Sequence, residues 1–217
     1  MSTAIFDVDG TIVHGICAKI YAKYLYKKKI FSLSFVIKFN FYLLYYLLLI
    51  RLNKLDKVRA SKKWVKEISN RLLVDNAVRL GEECFNKKIK PKLIKGVLDI
   101  LKKHAKKGDR IILLSNSPNF LLKPLADYLN VKELYGTDFI CENNKFKAIK
   151  LPLCFGKGKT EIVNKLKIDL KDSYAYSDSI HDLPLLELVK YPHVVNPNRR
   201  FKKEALKRDW PVYHFKC

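Results

Sequence analysis

Ala4-Ile5-Phe6-Asp7-Val8-Asp9-Gly10-Thr11 is the stretch that decides the fold. Three apolar residues run into two carboxylates one residue apart, and then into a glycine. In an extended strand, residues i and i+2 point to the same face. Asp7 and Asp9 therefore share a side, or splay just past the strand end where Gly10 lets the chain turn. Carboxylates this close repel unless a cation or a proton intervenes. The stretch reads either as a metal or acid site, or as a solvated turn built from common turn residues. Residues far downstream choose between the two.

After a strand over 3–7, the pattern is helical from His14 to about Asn86, with no convincing strand. Ile16, Ile20, Tyr24 and Leu25 recur at helical spacing. A second helix is expected over roughly 31–52. Val58, Trp64, Val65, Ile68, Leu72 and Leu73 mark a third and a fourth. This long helical block interrupts something that resumes at Pro91. Leu93, Ile94, Val97, Leu98 and Leu101 form one face of a helix that ends in lysines before Gly108. Arg110-Ile-Ile-Leu-Leu114 is an apolar run suited to a central parallel strand. Ser115-Asn116-Ser117-Pro118 follows it, with Pro118 in the first turn of a helix over 119–129.

A hairpin is expected from 138–141 to 146–148, and a helix over 161–166. Short strands at 173–176 and 193–195 flank a helix over 183–189. A basic amphipathic helix over 199–208 and an edge strand at 212–215 close the chain. Strands alternating with helices specify an α/β fold: a doubly wound, Rossmann-like parallel sheet core with an inserted all-helical cap. The expected core is 1–13 with 90–217, and the expected cap is 14–89. Sites in such sheets form beyond the carboxyl ends of the strands. Asp7, Ser115 and Asp178 each fall at such an end.

The 217 residues suit one domain with a sizeable insertion. Lys and Arg number 43 against 21 Asp and Glu, a formal charge of +22 that favours anionic partners. The basic residues are spread along the chain and form no nucleic-acid module, so no nucleic-acid partner is expected. Five cysteines without C-x-x-C spacing argue against a zinc site or a disulfide framework. That pattern fits a reducing cytoplasm, and no secretory leader is expected, since the first apolar run ends in Asp7 and Asp9. Phe41 to Ile50 is an apolar run about half the length a bilayer span needs. It is read as a helix packed inside the cap, with contact at an anionic membrane surface as the alternative.

Asp7-x-Asp9-Gly10-Thr11, Ser115, Lys159 and Asp178-x-x-x-Asp182 resemble, in order, the four motifs of the haloacid dehalogenase superfamily. Tyr176-Ser-Asp-Ser-Ile-His-Asp-Leu-Pro-Leu-Leu186, Phe155-Gly156-Lys157-Gly158-Lys159 and Val195-Asn-Pro-Asn198 resemble its phosphoserine-phosphatase-like subfamily. The resemblance implies that Asp7 attacks phosphorus and forms an aspartyl-phosphate. Asp9 would protonate the leaving alkoxide and later activate water, which requires the two environments to push their pKa values apart. Ser115, with Asn116 or Ser117 as alternatives, would bind a phosphoryl oxygen. Lys159 would neutralise Asp7 and the phosphoryl group, with Lys157 as its competitor for that role. Four carboxylates and a dianionic substrate outweigh one lysine, so the resemblance also implies Mg2+ on Asp7, Asp178 and the Asp9 main-chain carbonyl. Asp182, Gly10 and Thr11 would support the site, although Asp182 also reads as a helix N-cap.

Phosphoserine-specific relatives carry a glutamate nine residues after the nucleophile, where this chain has Ile16. The expected substrate is therefore another small phosphomonoester, such as an amino-alcohol, polyol or sugar phosphate. A phosphatidylglycerophosphate-type lipid headgroup is the first alternative, and a non-enzymatic basic binding protein the second. Ser177 stands where the family usually has glycine.

Overall fold

The computed structural model describes residues 2–38, 41 and 65–215. One sheet holds β1 (Thr3–Asp7), β2 (Arg110–Pro118), β3 (Glu133–Thr137), β6 (Ser173–Ser177), β7 (Tyr191–Val195) and β8 (Val212–Tyr213). A separate antiparallel hairpin joins β4 (Phe139–Glu142) to β5 (Lys145–Ile149). The sheet order is β3-β2-β1-β6-β7-β8, and each neighbouring pair is parallel. β1 is buried along its whole length, as a strand with helices on both faces must be.

Side chains alternate between the two faces. Ala4, Phe6, Leu113 and Tyr176 join one apolar cluster. That cluster also takes in α1 (Cys17–Lys27), α2 (Val74–Cys84), α3 (Lys95–Lys107) and α4 (Asn119–Tyr128). Ile5, Ile112, Leu114 and Ala175 join the other. There they meet α5 (Lys157–Lys165), α6 (Leu183–Leu186) and α7 (Arg199–Leu206). The sheet is therefore doubly wound. An aromatic stack crosses its strands: Phe6 lies on Tyr176 at 4.5 Å between ring centroids, and Tyr176 on His193 at 4.7 Å.

Register fixes what meets at the carboxyl edge. Asp7 lies opposite Leu114 and Phe6 opposite Tyr176. Ser115, Ser177 and Asp178 thus emerge beside the end of β1.

Several details depart from the sequence-based reading. β2 does not stop at Leu114 but continues through Ser115-Asn116-Ser117 to Pro118. The extension is held from β3, where Thr137 pairs with Pro118 and its hydroxyl donates to the Asn116 carbonyl at 2.7 Å. β3 itself was not anticipated from sequence. The closing edge strand and the helix after Asp182 are shorter than expected.

Between β1 and α2 the described residues are helical at 17–27, 33–38 and 65–69. Of the apolar run at 41–50, only Phe41 is described, and it is exposed. Residues 42–50 lie outside the described residues, and so does the choice between cap core and membrane contact. Among the described residues no helix is long and apolar enough to cross a membrane.

The β4–β5 hairpin turns through Asn143 and Asn144, both with positive φ. Short polar side chains tolerate that left-handed conformation. Asn144 also docks on α2: its Oδ1 accepts from the Asp75 amide at 3.0 Å and its Nδ2 donates to Asp75 Oδ2 at 2.7 Å.

Candidate active site

Past β1 the chain folds back on itself. The Val8 carbonyl accepts from the amides of Thr11, Ile12 and Val13, and Gly10 turns with φ +86°. A Cβ on Gly10 would lie 2.0 Å from Asp178 Oδ2. Only glycine lets the Asp178 carboxylate rest against this turn.

Asp7 is buried and held from two sides. Its Oδ1 accepts from Lys159 Nζ at 2.6 Å, and its Oδ2 accepts from Thr11 Oγ1 at 3.1 Å. The same Thr11 oxygen accepts from the Asp178 amide at 3.0 Å, which ties the end of β1 to the loop after β6. Lys159 Nζ also donates to Asp182 Oδ2 at 2.6 Å, and Ser177 Oγ donates to that oxygen at 2.7 Å. Ser177 is fully buried and its hydroxyl takes part in the site, so its place in the motif is chemically used.

Lys159 rather than Lys157 reaches this cluster. α5 begins at Lys157, so Lys159 and Val163 lie one turn apart on the buried face while Lys157 is exposed. The approach depends on Gly158, where a Cβ would meet the Leu153 carbonyl oxygen at 1.8 Å.

Asp9 splays away to a different set of partners. Its Oδ1 accepts from the Cys17 amide at 2.6 Å, at the first turn of α1. Its Oδ2 accepts from Ser115 Oγ and Ser117 Oγ, both at 2.7 Å. Ser115 Oγ in turn accepts from the Ser117 amide, and Ser117 Oγ from the Ala18 amide at 3.2 Å. The two serines alternate along β2 and so share a face. Asn116, between them, is exposed and its contacts run to Thr137 on β3.

The charges do not balance. Burial pushes the Asp7 carboxyl well up; Lys159 opposes the shift, and Asp182, Asp178 and Asp9 add to it. Burial, then Asp182, push Asp178 up to about 7. Burial works against the Lys159 charge, yet Asp7 and Asp182 outweigh it and hold the ammonium above its ordinary value. One cation among four carboxylates, two of them buried, leaves room for another. Asp7, Asp178 and the Asp9 main-chain carbonyl are the oxygen donors that could hold it, a set suited to a hard divalent ion. Among the described residues, no three His, Cys, Asp or Glu side chains group around a common metal position. A site built from two carboxylates and a main-chain oxygen is compatible with that.

Residues 4–187 match the profile of the haloacid dehalogenase-like hydrolases. The chain belongs to that family. A probable phosphatase of Mycobacterium tuberculosis is 28% identical to this hydrolase, over 99% of this chain and 75% of that protein. A phosphoserine phosphatase of the same organism is 29% identical, over 99% of this chain and 71% of that protein. Among solved structures, a protein of unknown function from Bordetella pertussis Tohama I superposes with a TM-score of 0.82 at 24% identity, covering 98% of each chain. That likeness bears on the fold of the hydrolase alone.

Proposed function

We propose that this haloacid dehalogenase-type phosphatase hydrolyses a small phosphomonoester through a transient aspartyl-phosphate on Asp7, with Mg2+ bound, beneath a cap formed by residues 14–89. The observation that carries the reading is the convergence of Asp7, Lys159 and Asp182 at the end of β1, with Asp178 against Gly10 beside them. Asp7 faces a cation, whereas Asp9 faces hydroxyl and amide donors.

In the first half-reaction an Asp7 oxygen forms a bond to phosphorus as the bond to the substrate alcohol breaks. The departing alkoxide takes its proton from Asp9. In the second, water attacks the phosphorus of the aspartyl-phosphate and gives its proton to Asp9, and inorganic phosphate leaves with Asp7 regenerated. Lys159 holds the Asp7 side chain in place and offsets charge on the transferring group. Asp182 and Ser177 fix the direction of Lys159. Thr11 orients the second Asp7 oxygen. Ser115 binds a phosphoryl oxygen once substrate draws its hydroxyl from Asp9. Asn116, exposed beside it, is the second candidate for that contact. Asp7, Asp178 and the Asp9 carbonyl would hold the Mg2+, which would supply electrostatic stabilisation of the phosphoryl group.

Phosphoserine is not the proposed substrate. Ile16, at the entrance to α1, offers no charge to a substrate ammonium.

Release of inorganic phosphate from p-nitrophenyl phosphate tests the reading. Purified protein is expected to release phosphate with Mg2+, to stop with a chelator, and to lose at least about a thousandfold in rate as Asp7→Asn. Turnover that survives Asp7→Asn overturns it.

A further inference from the structure

A cavity of about 90 Å3 opens beside the proposed acid. Ala18, Tyr21, Ala22 and Leu25 of α1 form one wall, and Pro118 and Phe120 form another. The β4–β5 hairpin and the helical segments at 33–38 and 65–69 contribute further apolar side chains. Its near wall adjoins the residues that hold Asp9. The Ala18 amide donates to Ser117 Oγ, which donates to Asp9 Oδ2, and Pro118 follows Ser117 directly. From Ala18 to Leu25 the helix rises about 10 Å, so the wall leads away from Asp9 along α1.

Among the described residues, the side chains around this space carry almost no free polarity. Tyr21 is the described lining residue with a polar group, and its hydroxyl donates to the Ala77 carbonyl at 2.9 Å. A sugar or polyol placed here would lose water from several hydroxyls with no partner to replace it, which opposes binding. A chain of methylenes loses nothing of that kind and gains from leaving water.

We propose that the cavity receives an apolar alcohol moiety, and that the preferred substrates are phosphomonoesters of alkyl alcohols. This rests on the phosphatase reading above and departs from the amino-alcohol, polyol and sugar phosphates expected from the sequence. It assigns a specificity role to Ala22, whose small side chain on α1 leaves the space open.

The test is a series of ethyl, butyl, hexyl and octyl phosphate, with glycerol 3-phosphate and phosphoserine alongside and p-nitrophenyl phosphate as a common reference. kcat/KM is expected to climb roughly threefold per methylene while the chain is being buried, then to level off. Both polar substrates should fall below butyl phosphate. In Ala22→Phe the hexyl-to-ethyl ratio is expected to drop towards one. The ratio is taken within a single protein, so a reduced folded fraction cancels. A flat series, a preference for glycerol phosphate over butyl phosphate, or an unchanged ratio in Ala22→Phe overturns the assignment. If p-nitrophenyl phosphate is hydrolysed while the series is flat, only the cavity assignment fails. No hydrolysis of any phosphomonoester overturns the phosphatase reading with it.

Discussion

The Lys159 ammonium donates to Asp182 Oδ2 at 2.6 Å, and this contact fixes the side chain that also grips Asp7. Both residues are buried, so neither charge has water to fall back on. Lys159→Met is expected to leave Asp7 and Asp182 facing each other without a counter-charge. Breaking a buried pair in this way costs about 3 kcal/mol or more, which for a chain of this size lowers Tm by about 6–12 °C. Thermal unfolding followed by circular dichroism checks it. A variant melting within two degrees of the wild type would show that the pair contributes little.

Asp178 is expected to behave in the opposite sense. Its carboxylate rests against Gly10 near Asp7 and Asp182, and burial with Asp182 raises its pKa. Asp178→Asn removes one like charge while keeping the shape. In chelator, this variant should therefore melt higher than the wild type. It should also lose turnover, and any rise in Tm that bound Mg2+ would give the wild type should vanish. Stability gained where function is lost is the expected trade at a strained site. A lower Tm for Asp178→Asn in chelator would remove the argument that the carboxylates repel.

Ser117 is where the structure adds most to the sequence. Its hydroxyl links Asp9 to the first turn of α1. If Asp9 delivers a proton to the leaving alkoxide, loosening it should slow the first half-reaction, which kcat/KM reports, only when the leaving group needs that proton. Ser117→Ala is expected to lower kcat/KM for ethyl phosphate by about tenfold, the size of one hydrogen bond. With p-nitrophenyl phosphate, whose leaving group departs unprotonated, the loss should be much smaller. Equal losses on both substrates would assign Ser117 to general positioning instead of to Asp9.

How much of this was legible in the residues themselves depends on what each signal had to overcome. The central strands announced themselves because each is an apolar run that ends in Asp or Ser at the sheet edge. β3 did not. Its Glu133-Leu-Tyr-Gly-Thr137 is short and polar at its start, and it sits at the sheet edge, where half-exposed side chains blur the alternation. The extension of β2 through two serines was missed for a related reason. Polar residues inside a strand read as a loop unless the neighbour that holds them, here Thr137, is known. The preference for Lys159 over Lys157 rests on the helix phase of the family the motifs resemble, with Lys157 as its competitor. That Asp9 anchors α1 through the Cys17 amide could not be read from the sequence, because a main-chain donor leaves no mark on residue type.

His193 offers a test away from the site. It is stacked on Tyr176 in the aromatic array that crosses the sheet, and it lies near Tyr213 Oη at 3.3 Å. Burial, and then His104, push its pKa down to about 4. In the unfolded chain a histidine titrates near its ordinary value of about 6.5. Between these values the unfolded state binds the extra proton, so stability falls as pH is lowered through the window and is fully restored above it. Phenylalanine keeps the stacking and cannot be protonated. The Tm of the wild type relative to His193→Phe is therefore expected to decline steadily from pH 6.5 to pH 4. Both proteins carry the same carboxylates, so their titration cancels in the difference. A difference that stays constant over that range would mean that His193 takes up its proton without leaving the stack.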